Sequence, residues 1–195
     1  MIGGPFMARA LADSRDRVVW AKARSNNIGA SDAAGFAKLS SAPSYARNKI
    51  SNNFIGNAYT VHGNEREPIM LAAYHLEQNF TLFRSESNPR HVATPDAMQF
   101  GADGSFFTVE AKTSNKSLQK IPVGYLRQMW WAQYVMNTDR TLFIWEEHKD
   151  WNPVSAEPES QWVYRDDEKI NTLIQIADRV IEIMDEHAQF EMENS

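Results

Sequence analysis

Ser105-Phe106-Phe107-Thr108-Val109-Glu110-Ala111-Lys112 reads as a β-strand, rich in aromatic and β-branched residues and ending in charge. Side chains alternate faces along a strand, so Phe106, Thr108, Glu110 and Lys112 share one face. Fourteen residues before Glu110 stands Asp96, in Thr94-Pro95-Asp96, where a preceding strand can deliver it to the same place. Two carboxylates and an ammonium suit metal-assisted hydrolysis of a phosphodiester. The carboxylates are hard oxygen ligands for Mg²⁺, and the lysine can orient or activate the attacking water. Aspartate followed by Glu-x-Lys also arises by chance, as a strand edge with a solvated ion pair worth about 0–1 kcal/mol. The rest of the chain has to choose between the two.

Outward from this strand, Thr81–Glu86 and Arg90–Thr94 read as strands, and Thr141-Leu142-Phe143-Ile144-Trp145 as a continuously apolar central one. Gln161–Tyr164 reads as a last edge strand after a 147–160 loop containing Pro153 and Pro158. Helices are expected over Ala12–Arg24, from an N-cap at Ser31 to Leu39, and from Pro43 to about Ser51. A polar loop, Asn52–Asn57, follows. A further helix is expected over Gly63–Gln78, with Pro68 in its first turn, and another over Tyr125–Met136. Ile170, Leu173, Ile174, Ala177, Ile181 and Met184 mark the apolar stripe of a C-terminal helix. Helices, then a small mixed β-sheet, then helices predict an α/β fold with helices flanking the sheet.

Composition narrows the class. With 195 residues and 43% hydrophobic content the chain can bury a sizeable core as one domain. No apolar stretch approaches the ~20 residues of a membrane span, and Met1–Ala8 lacks the pattern of a signal peptide. The absence of cysteine excludes disulfides, thiolate metal sites and cysteine nucleophiles. A cytoplasmic location is expected. The net charge of −5 is unevenly spread. Residues 1–50 carry eight Lys/Arg against three Asp, and residues 146–195 four against fourteen acidic residues. A basic N-terminal third can meet a polyanion while the acidic end faces elsewhere; solvated helix faces explain the same distribution.

In chain order the polar features are Arg24, Ile28-Gly29-Ala30-Ser31-Asp32, Gly63-Asn64-Glu65-Arg66-Glu67-Pro68, Thr94-Pro95-Asp96, Glu110-Ala111-Lys112 and Tyr125-Leu126-Arg127-Gln128. Their order and spacing resemble the lambda-type exonuclease family, the viral recombinase and alkaline exonucleases of the PD-(D/E)XK nuclease superfamily. The resemblance runs from about Trp20 to Trp145, roughly two thirds of the chain. It implies a restriction-endonuclease-like core within a single nuclease domain, 1–195. A basic helical region over residues 1–60 precedes a catalytic core, 61–146, and an acidic strand and helix, 160–190, follow.

Carried over by position, the resemblance implies Asp96 and Glu110 as metal ligands, with the Ala111 carbonyl, and Lys112 as the catalytic lysine. Glu67 corresponds to a helix glutamate that helps hold the metal or its water. Glu65 stands two residues earlier, about 200° around the helix, so only one of the two can face the site. Gln128 corresponds to a glutamine near the nucleophilic water, one helical turn from Tyr125 on the same face. Arg24 and Ser31 correspond to residues that contact a DNA phosphate, and Tyr125 joins them as a substrate-side residue. Each has a structural alternative: Glu67 an exposed first-turn carboxylate, Gln128 a bridge to buried backbone, Arg24 an ion pair with Asp32, Ser31 an N-cap.

The family usually has glycine after the aspartate, where this chain has Ala97. If the backbone there required positive φ, alanine would be strained. The 97–104 loop can absorb the change, and Asp103 is the second-choice acid. His62, His75, His91, His148 and His187 show no zinc-type spacing, although His62 precedes Gly63 and can lie near the site. Trp130-Trp131 invites base stacking, with core packing expected for at least one. The implied activity is a Mg²⁺- or Mn²⁺-dependent exonuclease on double-stranded DNA, resecting 5′ to 3′ in viral or prophage recombination. The exposed strand would pass to a single-strand annealing protein. Family members include ring-shaped trimers and monomers. An endonuclease or nickase on the same core, and a DNA-binding recombination accessory protein with a decayed site, remain the alternatives.

Overall fold

The computed structural model describes residues 4–51 and 58–194, so the expected polar loop Asn52–Asn57 lies outside the described residues. The central sheet contains β4 (Ala97–Phe100), β5 (Phe106–Ser114), β6 (Arg140–Lys149), the two-residue β7 (Asn152–Pro153) and β8 (Glu159–Tyr164). β4 pairs antiparallel with β5, β5 parallel with β6, and β6 antiparallel with β8 and, at its far end, with β7. The parallel pair is joined by a crossover helix, α5 (Val123–Met136). β5 and β6 are buried through their middles on both faces, as inner strands of a sheet sandwiched by helices. Thr141–Trp145 is therefore central and β8 the edge, as the sequence predicts.

A second, three-stranded antiparallel sheet is made of β1 (Ala10–Asp13), β2 (Thr81–Arg84) and β3 (Val92–Ala93). It takes the two strands expected before Asp96 and adds one that overlaps the start of the first expected helix. Ala10–Asp13 pairs with residues about seventy positions away, so the first helix, α1 (Arg17–Ser25), begins only at Arg17. Its N-cap is Asp16, whose carboxylate accepts from Val19 N–H at 3.1 Å.

Other boundaries also move. α2 is confined to Ala30–Ala33 and its N-cap is Gly29, not Ser31: the Asp32 carboxylate turns back to accept the Gly29 N–H at 2.8 Å. α3 spans Ala42–Ser51. α4 runs from Ala58 to Ala73, so Pro68 lies inside the helix and not in its first turn. The helix stops where His75 takes φ 55° and Leu76 N–H returns to the Leu71 carbonyl at 3.0 Å. The expected 97–104 loop is half strand. Ala97 opens β4, pairs with Val109, and is not among the positive-φ residues, so no strained turn follows Asp96.

Two apolar layers hold the sheet. Val109, Ala111 and Ile144 pack under Met70 and Leu71 of α4. Phe143, Trp145 and Val163 pack against Met129 of α5. Trp131 is fully buried and donates to the Val92 carbonyl at 2.9 Å, which makes it core, and Trp130 donates to the Tyr164 carbonyl at 3.2 Å. The acidic helix α6 (Asp167–Glu193) buries Ile170, Leu173, Ala177, Ile181 and Met184 from the expected stripe, and covers α3 and α5. No helix among the described residues is long and apolar enough to cross a membrane.

Candidate active site

β5 presents one polar face to α5. Thr108 bonds Thr141 at 2.8 Å, and Gln133 of α5 donates to Thr141 at 2.9 Å. Two residues on, Glu110 is 2% exposed, and its Oε1 accepts from Gln128 Nε2 at 2.6 Å and from the Lys112 ammonium. Two further on, Lys112 lies over the Tyr125 ring, 6.0 Å from its centroid. The alternation of a strand and the turns of one helix therefore bring Glu110, Lys112, Gln128 and Tyr125 together.

Asp96 reaches this group from the crossing between the two sheets. Its N–H donates to the Val109 carbonyl at 3.1 Å and its own carbonyl accepts from Asn79 N–H at 2.8 Å. So pinned, its Oδ2 accepts the Ala111 N–H at 2.7 Å, beside the edge of β5 that β4 leaves uncovered. Glu67 approaches from α4, its Oε1 accepting from Gln78 Nε2 at 2.7 Å, while Glu65 is exposed. Glu67 is thus the member of that pair that faces the cluster. Asp103 does not join it: it is exposed and bonds Ser105 and Arg140.

The electrostatics are those of an anionic site short of positive charge. Burial, and then the Asp96 charge, push the Glu110 carboxyl up to about 7. Burial and Asp96 likewise push Glu67 up to about 8. Burial raises Asp96 against the opposing pull of Lys112. Burial alone would depress Lys112, but Glu110 and Asp96 outweigh it and hold the ammonium above its ordinary range. With all four groups ionised the cluster would carry three negative charges and one positive, which a divalent cation would balance.

Among the described residues no three His, Asp or Glu side chains form a ready-made metal cage. Mg²⁺ takes oxygen ligands such as carboxylates and otherwise keeps water or substrate phosphate. Asp96 and Glu110, which offer oxygen donors only and whose carboxyls burial raises, are of that chemical type.

The site opens on a cleft of about 1120 Å³ lined by Glu67, Ala111, Lys112 and Tyr125 and, on another wall, His62, His148, Lys149 and Trp151. That second wall holds a chain of hydrogen bonds that sequence reasoning missed. His62 Nε2 lies 2.7 Å from His148 Nδ1, and His148 Nε2 lies 2.9 Å from Glu146 Oε2. Arg66 forks onto Glu146 at 2.8 and 3.0 Å. The available signal was Glu146-x-His148 on one strand face, but its partners sit about eighty residues away on α4.

Arg24 and Ser31 lie together, the guanidinium donating to Ser31 Oγ at 2.8 Å and to Asp32 at 3.0 Å, the ion pair named as the structural alternative for Arg24. Lys49, which the sequence did not single out, bonds the same Asp32 oxygen at 2.9 Å. Burial works against the Asp32 charge, yet Arg24 and Lys49 hold the carboxyl below its ordinary range. This cluster packs beside α5, which α2 contacts, but none of its bonds reaches the carboxylates of the cleft.

A model of the YqaJ-like viral recombinase domain matches residues 19–140. The chain belongs to that family. The match begins and ends within a few residues of the resemblance read from the motifs. No curated protein sequence matches the chain. Among solved structures, an alkaline exonuclease (LHK-Exo) from Laribacter hongkongensis superposes with TM-score 0.71 at 17% identity, covering 90% of this chain and 96% of that one. A phage-related exonuclease from Haemophilus somnus 129PT gives TM-score 0.61 at 17% identity, covering 87% and 96%. LHK-Exo in complex with dAMP gives 0.66 at 19% identity, with coverage of 90% and 96%. At these identities the likeness shows the fold, a mixed sheet flanked by helices of the restriction-endonuclease-like type.

Proposed function

We propose that this chain is a Mg²⁺- or Mn²⁺-dependent exonuclease that hydrolyses phosphodiester bonds of duplex DNA 5′ to 3′, as end resection for viral or prophage recombination. The observation that carries the reading is the convergence of Asp96, Glu110 and Lys112 on the open edge of β5, under Gln128. Membership of the recombinase-domain family supports it. So does the fold shared with two exonucleases, from Laribacter hongkongensis and Haemophilus somnus.

In this reading Asp96, Glu110, the Ala111 carbonyl and Glu67 hold the metal. Such a metal would supply Lewis-acid chemistry there, polarising the phosphate and making water acidic enough to attack near neutral pH. Lys112, held beside Glu110 and over Tyr125, keeps its proton and presents an ammonium to the attacked phosphate, where negative charge grows. The Gln128 amide orients the water. The water oxygen bonds phosphorus as the phosphorus–oxygen ester bond on the far side breaks; the water's proton goes to solvent and the leaving oxygen takes one up. No side chain bonds the substrate covalently. Arg24 and Ser31 bind a further phosphate by a guanidinium fork and a hydroxyl. The strand left exposed by resection passes to a single-strand annealing protein.

The test uses 5′-labelled linear duplex and covalently closed circular DNA, in Mg²⁺ and in EDTA, with Glu110→Ala as control. Metal-dependent loss of the linear DNA alone, absent in the variant, is expected. Nicking of the circle would select an endonuclease. DNA binding without cleavage in either metal would sink the enzyme reading in favour of a DNA-binding accessory protein.

A further inference from the structure

The histidine chain on the cleft wall has a directionality that its hydrogen bonds impose. Burial opposes the Glu146 charge, but Arg66 and His148 hold the carboxyl below its ordinary range, so Glu146 is an acceptor only. His148 Nε2 therefore carries the hydrogen of the 2.9 Å contact. Across the 2.7 Å His62–His148 contact only one hydrogen fits, so the two rings together accommodate a single added proton. Among the described residues, His62 Nδ1 is the one ring nitrogen of the pair without a partner, and His62 lines the cleft. An added proton leaves Nδ1 as a cationic N–H donor there.

Charge around the cleft gives that donor a use. Facing it are Glu67 and Arg66 from α4, Lys112 from β5, Glu146, Glu147 and Lys149 from β6, and Asp150 from the following turn. Arg66 is committed to Glu146 and Lys112 to Glu110, so Lys149 is the one remaining fixed cation among these against Glu67, Glu147 and Asp150. A DNA strand entering such a cleft needs further donors on its walls. His62 is braced for the role: its ring meets His148 at 4.7 Å and the indole of Trp151 at 5.0 Å, both edge-on.

Resting on the nuclease reading, we propose that His62 is a phosphate-binding residue of the cleft wall, donating its Nδ1–H to a DNA phosphodiester. Glu146 and Arg66 act through His148 as positioning residues that fix the ring and the hydrogen-bond direction. Because the added proton is what makes Nδ1 a donor, the contact is lost when that proton leaves.

The experiment measures anisotropy of a short fluorescent duplex with the full chain in EDTA, at about pH 6 and about pH 8.5, across a salt titration. Binding by the wild-type chain should weaken as pH rises. His62→Ala should weaken it roughly three- to ten-fold at the lower pH, and make the logarithmic salt dependence shallower by about 0.9. His62→Arg, which keeps a charge at both pH values, should bind tightly at both. Glu146→Gln, which removes the fixed acceptor behind His148, should weaken binding at the lower pH and leave binding by His62→Arg unchanged. Circular dichroism melts confirm that each variant folds. An unchanged pH profile and salt slope in His62→Ala, or no binding by the wild-type chain at low salt, overturns the contact. Cleavage of linear duplex in Mg²⁺, run in parallel, separates the two readings: cleavage with a silent His62→Ala refutes only the contact, and the expected binding shifts without cleavage refute only the nuclease.

Discussion

The two charged clusters of this protein are built from the same residue types with opposite imbalance. At the edge of β5 three carboxylates, Glu67, Asp96 and Glu110, share one ammonium; burial raises all three, and the Asp96 charge adds to the rise of Glu67 and Glu110. Beside α2 one carboxylate, Asp32, is shared by Arg24 and Lys49, and it is lowered. The first cluster is short of positive charge and the second has some to spare. Burial penalises charge in both, so the sign of the imbalance determines what each can bind: a cation in the cleft, an anion beside α2.

The largest effect expected from breaking this asymmetry is at Glu110. Glu110→Gln keeps the shape and an oxygen acceptor for Gln128 but removes a charge proposed to hold the metal. Cleavage should fall by roughly a thousand-fold or more, several kcal/mol of barrier. The metal-free protein should become more stable at about pH 8, by of order 2 kcal/mol, since a repelling carboxylate has gone. Lost activity together with a raised melting temperature in EDTA is the signature; a lower melting temperature would mean that Glu110 is structural.

The next effect sharpens the comparison without mutation. Glu110 and Glu67 bind protons more tightly folded than unfolded, their carboxyls rising to about 7 and about 8. Their stabilising contribution is present below their unfolded values of about 4.5 and is lost as pH rises through about 7 to 8. Metal-free protein should therefore melt at progressively lower temperature across that window. Mg²⁺ should raise the melting temperature by an amount that grows over the same range, because it substitutes for the lost protons. A flat profile in EDTA, or a Mg²⁺ shift independent of pH, would contradict the charge deficit.

How much of each cluster is legible in sequence follows from how local its geometry is. Glu110 and Lys112 share a face because strands alternate, which needs no tertiary knowledge, and Gln128 and Tyr125 follow from one helical turn. Asp96 stands out by motif, but what holds it, the Asn79 bond and the β4 pairing, depends on the meeting of two sheets. The strand at Ala10–Asp13 escapes local pattern because its partner lies far along the chain. Ser31 looks like a cap, yet Asp32 reaches back to Gly29 instead. Lys49 goes unnoticed in sequence and His148 is set aside there, because each matters only through partners brought by other elements.

Smaller effects are expected at the cationic cluster. Arg24→Ala should weaken duplex binding about ten-fold and make the salt dependence shallower by about one phosphate contact. It should leave the Mg²⁺-induced rise in melting temperature unchanged, because the two clusters share no hydrogen bond. Binding titrations over a range of salt, beside melts with and without Mg²⁺, check both halves. A Mg²⁺ response altered by Arg24→Ala would show the clusters to be one electrostatic unit.

The smallest effect probes how the spare charge is aimed. A Cβ at Gly29 would stand 1.5 Å from Arg24 Nη1, so the guanidinium lies where only a glycine leaves room. Gly29→Ala forces Arg24 off Ser31 and Asp32 without deleting its charge. Long-range attraction survives, while the fork that would grip a phosphate is lost. Binding should weaken a few-fold, less than in Arg24→Ala, with the salt slope nearly kept. In Arg24→Ala the obstructing guanidinium is absent and the added methyl has nothing to displace. The double variant should therefore bind as Arg24→Ala alone, a non-additivity that a double-mutant cycle reads directly. Full additivity would place the effect of Gly29 in the capping of α2, where Asp32 accepts its N–H, and would detach the aim of Arg24 from DNA binding.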